Sequence, residues 1–258
     1  VRKEADVIAT FIRHHARIAD RMVIIDNAST DATADIVEAL QTEGLPIELR
    51  RDPSAIHRQG EALTTLMHEL NLTDDPDWII PLDADEFLTG NDARRTIGDL
   101  PTDSVSLMPW RTYVPTAEDN PLERDATRRI THRRSVESPQ YYKIVIPRAF
   151  HGKRYTIPLG SHGLEFTGGN VPMQPTGMLT LAHFPVRSPE QIRRKVIESW
   201  ERHSANPNRK AGQNYHWGKL YEEMAAGLPS DTRFRQIALQ YAMPKPVPVD
   251  TVYDPIMH

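Results

Sequence analysis

The apolar run Trp78-Ile79-Ile80-Pro81-Leu82 opens directly onto Asp83-Ala84-Asp85-Glu86-Phe87, and no other stretch restricts the fold so strongly. Bounded by Asp74-Asp75-Pro76-Asp77 before and Thr89-Gly90-Asn91-Asp92 after, it reads as a strand buried on both faces, as in a parallel sheet covered by helices. Side chains two apart on a strand share a face. Asp83 and Asp85 are therefore expected to reach one divalent cation, with Ala84 between them leaving the approach open. Taken alone the Asp-x-Asp is a weak signal, because a strand running into an acidic surface loop gives the same letters more often.

The surrounding pattern strengthens it. Val7, Ile8, Phe11, Ile12, His15 and Ile18 recur at helical spacing and predict a helix over residues 4–19. A short buried strand from Met22 to Ile25 ends in Asp26-Asn27-Ala28-Ser29-Thr30-Asp31. Ser29 or Thr30 would cap the helix that follows, with Asp31 in its first turn. Strands at Ile47 to Arg50 and Ser104 to Met108, with a helix carrying Ala62, Leu63, Leu66, Met67 and Leu70, complete an alternation of helix and strand over the first 110 residues. That is the pattern of an open α/β sheet, whose ligands sit beyond the carboxyl ends of the strands. Asp26, Asp83 and Asp85 all stand at such ends, on one edge if both strands are parallel in one sheet.

From Tyr113 to about Gly177 the texture turns to Pro, Arg and Gly, with strand candidates at Tyr142 to Ile146 and Leu179 to Ala182. Helices follow at Glu190 to His203, around Trp217 to Met224 and around Phe234 to Tyr241, and Met243 to Pro255 reads as an extended strap or tail. The tandem His14-His15 is discounted as a metal pair, since adjacent helix positions point to different sides.

The 258 residues contain no cysteine, so disulfides, thiolate metal sites and cysteine nucleophiles are excluded and any metal must sit on oxygen or imidazole. A formal net charge of -4 argues against a dedicated nucleic-acid binder. No apolar stretch approaches membrane-spanning length and no signal peptide is visible. A soluble cytoplasmic protein is expected, with peripheral membrane contact through clusters such as Arg128-Arg129 and Arg133-Arg134. The numbering begins on Val1 rather than Met, leaving room for a strand before it.

The order of motifs resembles glycosyltransferases of the GT-A fold, of the family 2-like group and its family 92-like relatives. Three segments carry the resemblance: Lys3-Glu4-Ala5-Asp6 opening a helix before Met22 to Thr33; Ile80-Pro81-Leu82-Asp83-Ala84-Asp85-Glu86-Phe87; and His183-Phe184-Pro185-Val186-Arg187-Ser188 before a helix. It implies a Rossmann-like mixed α/β sheet flanked by helices, with a GT-A domain over residues 1–203 and a helical extension over 204–258. Within that domain, residues 1–110 would bind the nucleotide sugar and 111–203 would receive the acceptor and complete the metal site. The implied activity is metal-dependent, inverting transfer of a sugar from a UDP- or GDP-sugar to a sugar, glycan or lipid-linked acceptor.

The resemblance puts Asp26 on the donor base and Asp83, Asp85 and His183 around Mn²⁺ or Mg²⁺, with Asp85 preferred as a direct ligand. Arg2, Glu4, Asn27, Asp31, Arg58 and Asp83 are implied as donor-binding residues. Oxygen ligands suit either ion, and one imidazole favours Mn²⁺. Glu165, in a Gly-rich loop with His162, is the first choice as catalytic base; Glu86, Asp119 and Glu123 are the others.

Two departures stand out. Lys3 occupies a position where the family usually has Asn, and Gln191-Ile192-Arg193-Arg194-Lys195 lacks the Trp of the processive signature Gln-x-x-Arg-Trp. A processive membrane synthase is therefore disfavoured. The competing readings are a non-catalytic nucleotide-sugar-binding or scaffold protein of the same fold and a phosphatase of the haloacid dehalogenase type. The phosphatase expects Thr or Val where Phe87 stands and uses the first strand of its domain. A nucleotidyltransferase would need a Gly-rich phosphate loop near its start, which is absent from the visible segment.

Overall fold

The computed structural model describes residues 1–54, 59–205 and 215–256. In chain order the elements are α1 (Ile8–His15), β1 (Met22–Asn27), α2 (Thr33–Thr42), β2 (Ile47–Asp52), α3 (Gln59–Thr73), β3 (Trp78–Ile79), β4 (Glu86–Thr89), α4 (Ala93–Gly98), β5 (Val105–Thr112), α5 (Ala126–Arg129), β6 (His132–Arg134), β7 (Tyr142–Pro147), β8 (Tyr155–Thr156), β9 (Glu165–Phe166), β10 (Met173–Pro175), β11 (Thr180–His183), α6 (Pro189–Ala205), α7 (Tyr215–Ala226), α8 (Asp231–Leu239) and β12 (Thr251–Tyr253). They fall into two units, one built from Val1–Thr112 and Glu137–His183, the other from Tyr113–Val136 and Phe184–Pro255.

In the first unit β1 and β2 pair in parallel, Met22 opposite Ile47 through Asn27 opposite Asp52, with α2 as the crossover between them. The larger sheet has the order β3-β7-β5-β11-β4, with β10 also beside β5. It is mixed: β11 and β10 run parallel to β5, whereas β7 is antiparallel to β3 and β5, and β4 is antiparallel to β11. Alternation along the strands sends Ile144 and Ile146 of β7 towards Met67 of α3. Val145 goes to the opposite face, with Met108, Trp110, Leu179 and Leu181. Both faces are therefore covered, and burying each such side chain contributes roughly 1.5–3 kcal/mol.

The expected strand at Trp78 to Leu82 is corrected. Only Trp78–Ile79 is strand, half-buried at the sheet edge and antiparallel to β7 rather than a central parallel strand. Pro81 has no N–H to give a ladder, and the chain then turns. The single sheet edge expected to carry Asp26, Asp83 and Asp85 is not formed either, since β1 and β2 make a ladder of their own.

The expected cap on α2 also differs. Neither Ser29 nor Thr30 caps it; the Asp31 carboxylate accepts from the Thr33 N–H at 3.1 Å and from the Thr33 hydroxyl at 2.6 Å. Ahead of this turn Ala28 has φ +51°, a left-handed conformation that costs a residue with a Cβ on the order of 1 kcal/mol. Ala28→Gly is expected to raise unfolding stability by about 1 kcal/mol, measured by urea titration.

The tandem histidines both reach one residue of β4. His15 Nδ1–H donates to the Phe11 carbonyl at 2.9 Å, which leaves Nε2 to accept from the Leu88 N–H at 3.2 Å. His14 Nε2–H donates to the Leu88 carbonyl at 2.8 Å. They close the open edge of the sheet, where unpaired peptide groups would otherwise be exposed.

In the second unit a core of Val114, Val186, Ile192, Val196, Met224, Phe234, Ile237 and Ala238 gathers α6, α7 and α8. The buried Arg134 guanidinium donates to the Ala238 and Tyr241 carbonyls at the end of α8. The proline-rich tail is an extended strap, with β12 pairing antiparallel to β6. Among the described residues no helix is long and apolar enough to cross a membrane.

Candidate active site

The loop after β1 is held by the first residues of the chain. The Val1 nitrogen donates to the Ile25 carbonyl at 2.6 Å and Asn27 N–H to the Val1 carbonyl at 2.9 Å. The Lys3 N–H donates to Ser29 Oγ at 2.9 Å and the Glu4 N–H to Thr33 Oγ1 at 2.8 Å. Asp31, expected at the donor, holds this loop: one oxygen serves Thr33 and the other accepts from the Ala5 N–H at 3.4 Å. Asn27 donates to Asp52 at 2.9 Å and to the Ser54 carbonyl at 2.7 Å, and its own carbonyl accepts from Arg2 at 3.3 Å. Arg58 lies outside the described residues.

Asp26 differs from these neighbours. It is only 3% exposed, its Oδ2 accepts from the Ser29 N–H at 3.3 Å, and its buried Oδ1 finds no donor among the described residues. A buried carboxylate oxygen left without a donor costs on the order of 1–3 kcal/mol, so such a group implies something that completes it.

Asp83 to Glu86 form a tight turn rather than the end of a strand. The Glu86 N–H donates to the Asp83 carbonyl at 3.1 Å, and Glu86 Oε2 accepts from the Asp83 N–H at 2.8 Å. The two aspartates therefore do not share a strand face. Asp83 Oδ1 accepts from Gln59 Nε2 at 2.6 Å and its Oδ2 from Lys143 Nζ at 2.8 Å. The same ammonium lies 3.1 Å from Glu86 Oε2. Asp85 instead faces His183, with Oδ2 to Nε2 at 3.7 Å.

Charge balance in this cluster follows from burial. Loss of hydration works against the Asp83 carboxylate, yet the Lys143 ammonium outweighs it and holds Asp83 below the usual carboxylate range. Burial is the larger influence on Glu86, which is 1% exposed; against the pull of Lys143 and with Asp83 and Asp85 beside it, its pKa rises to about 8. Burial likewise opposes the charge on Lys143, but Glu86 and Asp83 more than offset it, so its pKa is raised and the ammonium persists.

His183 ends β11, opposite Glu86 in the ladder with β4 and opposite Thr112 in the ladder with β5. Its ring lies 4.0 Å from that of Trp110, and both His183 and Asp85 are buried. Two ligands bound to one small divalent cation at about 2.1 Å stand between about 3.0 Å apart when adjacent and about 4.2 Å when opposite. The 3.7 Å spacing of Asp85 and His183 falls in that interval, and of the two ions an imidazole beside a carboxylate favours Mn²⁺. Among the described residues no group of three or more His, Asp or Glu converges as a metal centre, so further ligands would come from substrate and water.

Glu165 is exposed at the start of β9, opposite Thr156 of β8. It lines an open cavity of about 450 Å³ with Leu164, Phe166, Val171 and Met173. His162 donates through Nδ1–H to the Tyr142 carbonyl at 2.8 Å and packs against Trp110 and Tyr141. Gly160, at φ +83°, makes room for this ring, because a Cβ there would lie 2.8 Å from His162 Nε2. Asp119 and Glu123 belong to the second unit, where Asp119 accepts from the Thr116 hydroxyl at 2.9 Å.

Lys143 and Gln59 are the site residues that sequence reasoning missed. Lys143 had a signal of its own: it is the lone charge inside the strand Tyr142-Lys143-Ile144-Val145-Ile146, and a lysine buried in such a run needs an acidic partner.

A family model described as "Glycosyl transferase family 2" matches residues 1–156. The matched span includes Asp26, the Asp83 to Glu86 turn and Lys143, and ends before Glu165 and His183. No curated protein matches the chain.

Proposed function

The chain belongs to glycosyltransferase family 2, and from that premise we propose that it transfers a sugar from UDP, with inversion and with a divalent cation, to an acceptor hydroxyl. Its mixed sheet flanked by helices agrees with the GT-A fold of the family, whose members bind a nucleotide-sugar donor. The observation that carries the proposal is the buried Asp26 Oδ1, which has no donor among the described residues. One open carboxylate oxygen, its partner already engaged by Ser29, fits the single N3–H of uracil. Guanine presents two donors side by side and would ask for both oxygens.

In this reading Asp85 and His183 hold the cation, and Mn²⁺ is favoured by the imidazole. When bound, the cation neutralises negative charge on the departing diphosphate. Asp83 borders the donor, and Arg2 and Asn27 brace the loop under the base. Glu165, exposed and free of the burial that encloses Glu86, takes the proton from the acceptor hydroxyl. Glu165→Gln is expected to lower the transfer rate about 10²–10⁴-fold while leaving UDP affinity within a factor of about two, read by product assay and calorimetry.

The deciding experiment is calorimetric titration of UDP and GDP in the presence of Mn²⁺ against the wild type and Asp26→Asn. UDP is expected to bind at least tenfold more tightly than GDP, and Asp26→Asn to lose about tenfold or more of that affinity. Equal binding of both nucleotides, unchanged in Asp26→Asn, would overturn the assignment of Asp26 to the base.

A further inference from the structure

We propose that His162 receives the acceptor: its Nε2 accepts a hydrogen bond from a hydroxyl neighbouring the one to be glycosylated, so the acceptor is a saccharide rather than a simple alcohol. The inference deepens the transferase reading above and rests on it. His162 is exposed, yet its ring is held. Nδ1–H donates to the Tyr142 carbonyl at 2.8 Å, and the ring packs against those of Trp110 and Tyr141, with centroids 5.7 and 5.5 Å away. A neutral imidazole with its proton on Nδ1 leaves Nε2 as a bare acceptor. Loss of hydration on the packed flank lowers the His162 pKa, and Lys143 acts in the same sense, against the Tyr142 carbonyl and Asp83. The ring is therefore neutral near pH 7, and among the described residues Nε2 has no partner. Gly160 keeps it uncovered, since a Cβ there would lie 2.8 Å from Nε2.

The turn that presents this ring is strained. Gly160 at φ +83° and Ser161 at φ +55° are successive left-handed residues, and the Cβ of the second makes that conformation unfavourable by on the order of 1 kcal/mol. Ser161 is 1% exposed, and its Oγ has no partner among the described residues. The same holds for the buried Nε1 of Trp110. Strain and unmet polar atoms gathered around one presented side chain point to a binding position rather than to plain packing. Trp110 also neighbours His183, with centroids 4.0 Å apart, so the two histidines stand within about 10 Å of each other. The aromatic rings supply the apolar flank of a sugar site, and Nε2 supplies the polar group that orients the sugar in it. With Glu165 taking the proton of the attacked hydroxyl, an acceptor at His162 serves a second one, which a saccharide carries and a simple alcohol lacks.

The test separates the two ring nitrogens. His162→Asn keeps a donor at the reach of Nδ1 for the Tyr142 carbonyl and loses the acceptor at Nε2; His162→Gln keeps an acceptor at the reach of Nε2 and loses the donor. Binding of the methyl glycosides of glucose, galactose, mannose and N-acetylglucosamine, with UDP and Mg²⁺ present, is measured by saturation-transfer NMR. At least one glycoside is expected to bind the wild type, with His162→Asn weakening it about tenfold or more and His162→Gln less than about threefold. One monodeoxy analogue of that glycoside should bind the wild type about tenfold more weakly, yet bind His162→Asn as well as the parent does.

A merely structural ring would give the reverse order of variants, because the Tyr142 bond survives in His162→Asn alone. That order, or no glycoside bound by the wild type, would overturn the inference. UDP affinity, read by calorimetry on the same samples, separates it from the donor reading: UDP bound without any glycoside sinks the saccharide acceptor alone, and absent UDP binding sinks both.

Discussion

Lys143→Met is expected to lose about 3–5 kcal/mol of folding stability, a fall in Tm on the order of 10 °C for a chain of this size. The ammonium is 1% exposed and lies within 3.1 Å of two carboxylates. Removing it leaves the buried Glu86 without a counter-charge where water cannot replace it, next to an Asp83 that stays partly hydrated. Most of the loss is the cost of the stranded acids rather than the worth of the ion pair. The double variant Lys143→Met with Glu86→Gln should therefore regain at least half of it. Scanning calorimetry on the wild type and the two variants measures both steps, and a single variant as stable as the wild type would mean that the acids are hydrated after all.

The second large effect is on pH. His15 is buried and 3% exposed, and burial first, with His14 beside it, lowers its pKa to about 3 from the ordinary 6.5, against the pull of the Phe11 carbonyl. Between pH 6.5 and 3 the unfolded chain therefore holds a proton at this ring that the folded chain refuses. Its contribution to stability is complete above pH 6.5 and declines as the pH falls, by up to about 1.4 kcal/mol per unit. Between pH 6.5 and 4.5 the expected loss from this group is about 2.5 kcal/mol. His15→Gln keeps a donor for Phe11 and an acceptor for Leu88 without the titration, so its stability, measured by urea unfolding across that range, should fall less steeply. Identical slopes would show that His15 is not the group responsible.

The elements that sequence reasoning reached were those written in periodicity. The helical spacing of Ile192 and Val196 in α6, that of Phe234, Ile237 and Ala238 in α8 and the alternation around Ile144 mark faces that must be buried, and they are. Trp78 to Leu82 misled because an apolar run records burial without recording pairing; Pro81 and the Asp83 to Glu86 turn decide where the strand stops. The acidic motif itself was legible, as was His183, which the fold sets 3.7 Å from Asp85. The partners of Asp83 were not, because Gln59 and Lys143 lie 24 and 60 positions away and only tertiary pairing brings them to one carboxylate. Asp31, which the resemblance puts at the donor, accepts from the Ala5 and Thr33 N–H groups. A short polar residue next to a helix start serves the backbone as readily as a ligand, and sequence does not separate the two.

The paired histidines of α1 have a consequence beyond closing an edge. Sliding β4 past β11 by one residue would displace the strand by about 3.4 Å, nearly the whole of the 3.7 Å that separates Asp85 from His183. Leu88 stands three positions after Asp85, and its two peptide groups are clasped from a separate helix. Helix α1 thus acts as a vernier for the acidic turn: it sets the reading of one strand against its neighbour without contributing an atom to the chemistry.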